Sequence, residues 1–449
     1  MSDAANQCTD AIVSGTMHAA MLRRNLSQFR PAPRPQPIDS TDAPGSFAPM
    51  TQTPPLSRRI TAISAAGPDG WDLFRRARAM IAAGEQVIEL TIGEHDIRTA
   101  PTILQAMHEA AQQGHTGYSA IPGTQILRAA VAARITAQTG VATGPDNILI
   151  TPGGQAALFA AHHGACDEGD TALFIDPYYA TYPGTIRAVG AVPLAITATP
   201  EHGFQPQAAD IAAHATGAAS LLINSPNNPT GAVYTVETHQ GIARICLDHD
   251  LWLISDEVYD TQVWDGAHFS PRSLPDMAER TLVVGSLSKS HAMTGSRVGW
   301  ICGPEAAIAH LIDLATNTNY GIAGFVQQAA IFALAQGPEF EAGIAAPFLR
   351  RRKITQEVLA GQNLVQASTM QGAMYVMLDI RATGLSGEGF AEALLQQEKI
   401  AVMPGESFGL AARGHVRVAM TVADDTYRDA LTRVLQFAQT FATAQGRCA

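Results

Sequence analysis

The sequence predicts an α/β fold, with a large domain whose mainly parallel sheet is sandwiched by helices, plus a smaller α+β domain. Two observations carry this. Short apolar runs alternate with helical stretches from about residue 87 to residue 302, and continuous apolar strands separated by helices indicate a parallel sheet covered on both faces. From about Pro304 onward helices dominate, and the last hundred residues mix strands with helices. Hydrophobic residues are 46% of the 449, ample for a core of that size.

Residues 1 to 55 stand apart. They are rich in Pro, Ser, Thr and small residues, as in Pro31-Ala-Pro-Arg-Pro-Gln-Pro37. Such a segment buries too little to offset its ordering entropy, so it reads as a disordered extension, with Met50 opening a more ordinary N-terminus. A helical pattern follows at Trp71–Ala83. Strands are expected at Val87–Ile92, Asn147–Thr151, Thr171–Asp176, Val192–Thr197, Ser220–Ser225, Leu251–Asp256, Thr281–Ser286 and Val298–Cys302. Helices are expected between them at Pro101–Gln113, Thr124–Gln138, Gln155–Cys166, Thr181–Val189 and Val236–His249. A long helix lies near Pro338–Gly361. Strands at Tyr375–Ile380, Ile400–Met403 and Val416–Thr421, with helices at Gly389–Gln397 and Asp424–Ala442, complete the chain. The expected division is 56–100 and 337–449 for the small domain and 101–336 for the large one.

Charge narrows the function. Lys plus Arg total 29 against 40 for Asp plus Glu, a net charge of −11, which argues against nucleic acid or an anionic membrane as partner. No apolar run reaches the roughly 18 residues of a membrane span. The five cysteines (Cys8, Cys166, Cys246, Cys302 and Cys448) show no CxxC or Cys/His spacing. No metal site is expected, and a reducing, cytoplasmic setting fits best.

In open α/β sheets ligands bind beyond the carboxyl ends of the strands. The residues there are rich in chemistry: Thr151-Pro-Gly-Gly-Gln155, Asp176-Pro-Tyr-Tyr179, Ser225-Pro-Asn-Asn-Pro-Thr-Gly231, Asp256-Glu-Val-Tyr259 and Ser286-Leu-Ser-Lys289. The chain holds only three lysines. Lys353, in Arg350-Arg-Arg-Lys, reads as a solvated helix face, and Lys399 precedes a short strand. Lys289 follows an apolar strand among small hydroxyl residues, where desolvation would turn its amine into a nucleophile towards an aldehyde. By composition alone a structural lysine fits there equally well. Ser286, Ser288 and Arg297 could bind a phosphate, and Gly153-Gly154-Gln155 leads into a helix N-terminus, a second anion cradle. Asp256, beside a heteroaromatic cation, would keep a ring nitrogen protonated.

Together these residues resemble the class I/II aminotransferases, the fold-type I pyridoxal-phosphate enzymes, over about residues 57 to 440. Asn227-Asn-Pro-Thr-Gly231, Asp256-x-x-Tyr259 and Ser286-x-Ser-Lys289, with Arg297 eight residues on, occur in the family's order. The resemblance implies pyridoxal 5′-phosphate as cofactor and a ping-pong exchange between an L-amino acid and a 2-oxo acid. It implies that Lys289 holds the cofactor covalently and moves the substrate proton, and that Asp256 partners the pyridine nitrogen. Asn228 and Tyr259 match the groups on the ring oxygen O3′, and Tyr179, with Tyr178 as runner-up, matches the ring stacked on the cofactor. Gly154, Gln155, Ser286 and Arg297 match the phosphate cradle. Arg417 and Gly93 match the α-carboxylate site, which Tyr179 and Asn228 border. Tyr118 matches a tyrosine serving the phosphate of a partner subunit, which implies a homodimer.

Two departures bear on substrate. The common Gly-Glu-Pro-Asp run reads Gly93-Glu-His-Asp96, and Gln155 stands where a dicarboxylate-preferring relative often has lysine. Neutral or aromatic amino acids are therefore expected, in a pocket drawing on Ile92, Tyr178 and the loop around His95. A β-lyase on the same scaffold would use the same motifs. A cofactor-sensing transcription regulator would need a DNA-binding domain of roughly 70 residues, and the segment before the enzyme-like part is too short and Pro-rich for one.

Overall fold

A computed structural model describes residues 54–64 and 71–445. The extension expected over 1–55 lies outside the described residues apart from 54 and 55. Strands run in order as β1 (Ile88–Glu89), β2 (Ile148–Thr151), β3 (Thr171–Asp176), β4 (Val192–Thr197), β5 (Ala218–Asn224), β6 (Trp252–Asp256), β7 (Thr281–Ser286) and β8 (Gly299–Cys302). Then come β9 (Gln366–Ala367), β10 (Tyr375–Asp379), β11 (Ile400–Ala401), β12 (Met403–Pro404) and β13 (His415–Ala419).

The central sheet has seven strands in the order β2-β8-β7-β6-β5-β3-β4. β4, β3, β5, β6 and β7 pair in parallel, whereas β8 is antiparallel to both β7 and β2. Alternation along β5 shows why Leu221, Leu222 and Ile223 follow one another without a polar residue. Leu222 joins Leu149, Phe174 and Ile254 against Ala157, Leu158 and Ala161 of the helix Gly154–Ala165. Leu221 and Ile223 face the other way, towards Ile211, Ile242 and Cys246. Both faces are thus covered, as a parallel sheet requires.

A four-stranded sheet, β12-β13-β10-β9, and a two-stranded one, β1-β11, draw on the chain before and after the central sheet. Two runs differ in extent from expectation. The run Val87–Ile92 forms only a two-residue strand, which pairs in parallel with β11. The run Ile400–Met403 divides: β11 serves β1, and β12 serves β13. Both runs are apolar and covered on several sides, so periodicity carries no information about which neighbour each one pairs with. A short helix at Ala208–Ala215 escapes the sequence reading, and the last helix extends to Gln445. The lysines behave as expected away from the site. Lys353 is exposed, and Lys399 pairs with Glu85 at 2.7 Å.

Candidate active site

The loops beyond β2, β3, β5, β6 and β7 converge with β13 on one cavity of about 390 Å³. It is lined by Gly93, Gly154, Gln155, Tyr179, Asn228, Asp256, Tyr259, Ser286, Lys289, Arg297 and Arg417. Tyr118 is elsewhere, 95% exposed, its ring edge-on to Tyr320 at 5.3 Å. Of the alternatives at the stacking position, Tyr179 lines the cavity and Tyr178 does not. Ile92 also lines it, but His95 lies outside, buried edge-on against Phe348 and held neutral by burial, which lowers its pKa to about 4.

Lys289 sits in the short helix Leu287–Ser290 directly after β7. Ser286 starts that turn, its Oγ accepting the Ser288 N–H at 3.1 Å and lying 2.8 Å from the Val298 carbonyl. The lysine Nζ donates to the Gly93 carbonyl. Desolvation is the largest influence on this ammonium and pulls its pKa below the ordinary value, with Tyr375 opposing.

Asp256 ends β6 and is only 4% exposed. Its carboxylate accepts the Tyr182 hydroxyl at 2.7 Å and the Val258 N–H at 3.3 Å. Burial raises its pKa from 3.8 to about 6. Among the described residues it has no cationic partner. Tyr182 was missed from sequence. It lies three residues beyond Tyr179 at the start of the helix Tyr182–Val189, a spacing that could have placed it beside Tyr179.

Arg417, on β13, is 4% exposed. It donates to Asn228 Oδ1 at 2.8 Å and to the Thr91 carbonyl, while its buried Nε has no partner among the described residues. The rings of Tyr375 and Phe408 lie 4.3 and 4.4 Å from its guanidinium carbon. Arg297 stands at the exposed rim, anchored to the carbonyls of Thr294 at 2.9 Å and Pro152 at 3.3 Å. Among the described residues neither arginine has a carboxylate partner.

The anion cradle has its own geometry. Gly153 has φ of 84° and precedes the helix Gly154–Ala165; a Cβ on Gly153 would collide with the Arg297 guanidinium. Only glycine holds that backbone cheaply at so close an approach. The Gln155 side chain donates to the Thr185 hydroxyl at 2.8 Å and accepts from the Thr181 hydroxyl at 2.9 Å. The helix N-terminal N–H groups remain available to a phosphate.

The cavity thus holds a buried carboxylate lacking a cation, a buried guanidinium lacking an anion, a rim arginine above a helix N-terminus, and a desolvated lysine. Such isolated buried charges are costly and call for a ligand that supplies their counterparts. A protonated ring nitrogen, a phosphate and a carboxylate would do so.

Comparison with known proteins agrees. The family model "Aminotransferase class I and II" matches residues 85–434. An arginine–pyruvate transaminase of Pseudomonas aeruginosa is 40% identical, over 83% of this chain and 95% of its own length. The aspartate/prephenate aminotransferase of Thermus thermophilus is 33% identical, over 84% of this chain and 97% of its own. Among solved structures, an aspartate aminotransferase from Thermus thermophilus with maleate has a TM-score of 0.80 at 33% identity, covering 85% of this chain and all of that one. An aromatic aminotransferase from Pyrococcus horikoshii has 0.76 at 31% identity, covering 81% and 99%.

Proposed function

The chain belongs to the class I and II aminotransferases, and on that premise we propose that it moves an amino group from an L-amino acid to a 2-oxo acid with pyridoxal 5′-phosphate held on Lys289. The observation that carries the reading is the set of charges that lack an oppositely charged partner among the described residues, Asp256, Arg297 and Arg417, around a lysine of lowered pKa. The cofactor, when bound, supplies an aldehyde for the amine and a ring that takes up electrons.

The residues divide that work. Asp256 holds the ring nitrogen protonated, Asn228 and Tyr259 face the ring oxygen, and Tyr179 covers the ring. Ser286, Arg297 and the backbone of Gly154 and Gln155 hold the phosphate. Arg417 forks the α-carboxylate next to Gly93, with the planar geometry such a group needs. Lys289, easily neutral because it is desolvated, takes and returns the proton at the substrate's α-carbon. One site serves both the amino acid and the 2-oxo acid, so they bind in turn, a ping-pong order.

Substrate choice follows from the walls. Ile92, Leu158, Ala180, Met403 and Phe408 are apolar, and among the described residues no cation beyond Lys289, Arg297 and Arg417 lines the cavity. That supports neutral or aromatic side chains over aspartate. The named substrates of the relatives, arginine and pyruvate among them, belong in the trial panel. Tyr118, exposed beside Tyr320, supports a homodimer in which it serves the neighbouring phosphate. We also place the small domain at 56–100 and 337–449 and the large one at 101–336, and the free, buried thiols of Cys166, Cys246 and Cys302 suit a cytoplasmic setting. Borohydride reduction of the holoenzyme with peptide mapping tests the assignment. The pyridoxyl label is expected on Lys289, and a label on Lys353 or Lys399 would refute it.

A further inference from the structure

Tyr375 received no role from sequence beyond membership of a strand. It is 3% exposed, yet it lines the cavity. Its hydroxyl lies 3.1 Å from that of Tyr259 and, among the described residues, has no other hydrogen-bond partner. Its ring face lies 4.3 Å from the Arg417 guanidinium. The strand register explains the second contact: Met377 on β10 opposes Arg417 on β13, and Tyr375, two residues back on the same face, is the diagonal neighbour. Gly93 yields to the same side chain, since a Cβ there would collide with the Tyr375 phenol. Asn228 extends the set by accepting from Arg417 at 2.8 Å.

We propose that Tyr375 is a positioning residue joining the carboxylate site to the ring-oxygen site: its hydroxyl donates to Tyr259, and its ring face holds Arg417. A hydroxyl carries one proton, so only one lies between the two tyrosine oxygens. With Tyr375 as donor, the Tyr259 proton is free to point into the cavity that Tyr259 lines. Donors in series polarise one another, so Tyr259 becomes the stronger donor to a negative ring oxygen. The ring face meanwhile fixes the plane of the guanidinium that must fork the substrate.

The inference rests on the cofactor reading, and the test separates the two. The holoenzyme's visible absorbance is titrated with pH in four proteins: native, Tyr375→Phe, Tyr259→Phe and the double variant. A weaker donor at the ring oxygen favours the protonated chromophore. Tyr375→Phe should therefore raise the titration midpoint by about half a pH unit or more, roughly a threefold tighter hold on the proton. In the Tyr259→Phe background the same change should do nothing further, because the effect passes through that hydroxyl. Tyr375→Leu should also raise KM on the order of tenfold for amino acids of every side chain, through loss of the ring face. An unmoved midpoint in Tyr375→Phe, or an equal shift with and without the Tyr259 hydroxyl, overturns the inference. If Tyr375→Leu does not fold, the phenylalanine cycle decides alone. A protein with no cofactor absorbance would instead sink the cofactor reading.

Discussion

Asp256→Asn should stabilise the cofactor-free protein while weakening its hold on the cofactor. The carboxylate is 4% exposed, lacks a cation among the described residues, and titrates at about 6 instead of 3.8. The sign follows from linkage. Its folded pKa lies above its unfolded one, so between pH 3.8 and about 6 the native state binds more protons and stability falls as pH rises. At about 1.4 kcal/mol per pH unit the cost at pH 7 is about 3 kcal/mol. Asparagine removes the charge and keeps both contacts. Its oxygen can accept the Val258 N–H, and its amide can donate to the Tyr182 oxygen, the hydroxyl rotating to accept. The expected gain is about 1–3 kcal/mol at pH 7, allowing for weaker hydrogen bonds to a neutral group. The advantage should shrink towards zero below about pH 4. Removing one partner of a buried ion pair costs about 3–5 kcal/mol, so cofactor affinity should fall by two orders of magnitude or more. Thermal and urea unfolding of the cofactor-free proteins across pH 4–8, with cofactor titration alongside, measures both. A variant less stable at pH 7, or one whose difference ignores pH, would refute this account of Asp256.

Arg417→Lys should lower kcat/KM for all amino acids alike, by at least tenfold, because an ammonium cannot replace a planar fork seated between two rings; a side-chain-dependent loss would show that Arg417 reads something besides the carboxylate. Gly93→Ala should force the Tyr375 phenol aside at about 1–3 kcal/mol and raise KM, and an unchanged KM would contradict that close approach. Tyr118→Phe should weaken cofactor retention modestly in a protein that light scattering finds dimeric, whereas a fully active monomer would overturn the shared site. A chain starting at Met50 should match the full chain in kinetics and melting temperature, since every proposed site residue lies at 92 or beyond; a stability loss above about 1 kcal/mol would count against it.

The sequence by itself picked out residues that the fold gathers around one cavity. Lys289, Asp256, Arg297 and Arg417 were named from motif order, which survives folding, and all four line that cavity. Apolar strands between helices likewise determined the central sheet, since burial on both faces marks consecutive residues in the middle of β3, β5 and β6. Tertiary structure alone decided what those residues touch. Tyr182 and Tyr375 are ordinary tyrosines in sequence; only packing brings one hydroxyl to Asp256 and the other to Tyr259. Periodicity could not assign β1 to β11, nor divide β11 from β12, because a short apolar run records that it is buried but not against what. The loop around His95 reaches the pocket through Gly93 and Glu94, but the His95 ring itself packs on Phe348. Local pattern reports burial and backbone preference, whereas partners distant in sequence, such as Gly93 with Tyr375 or Arg417 with Asn228, are set by how sheets and loops come together.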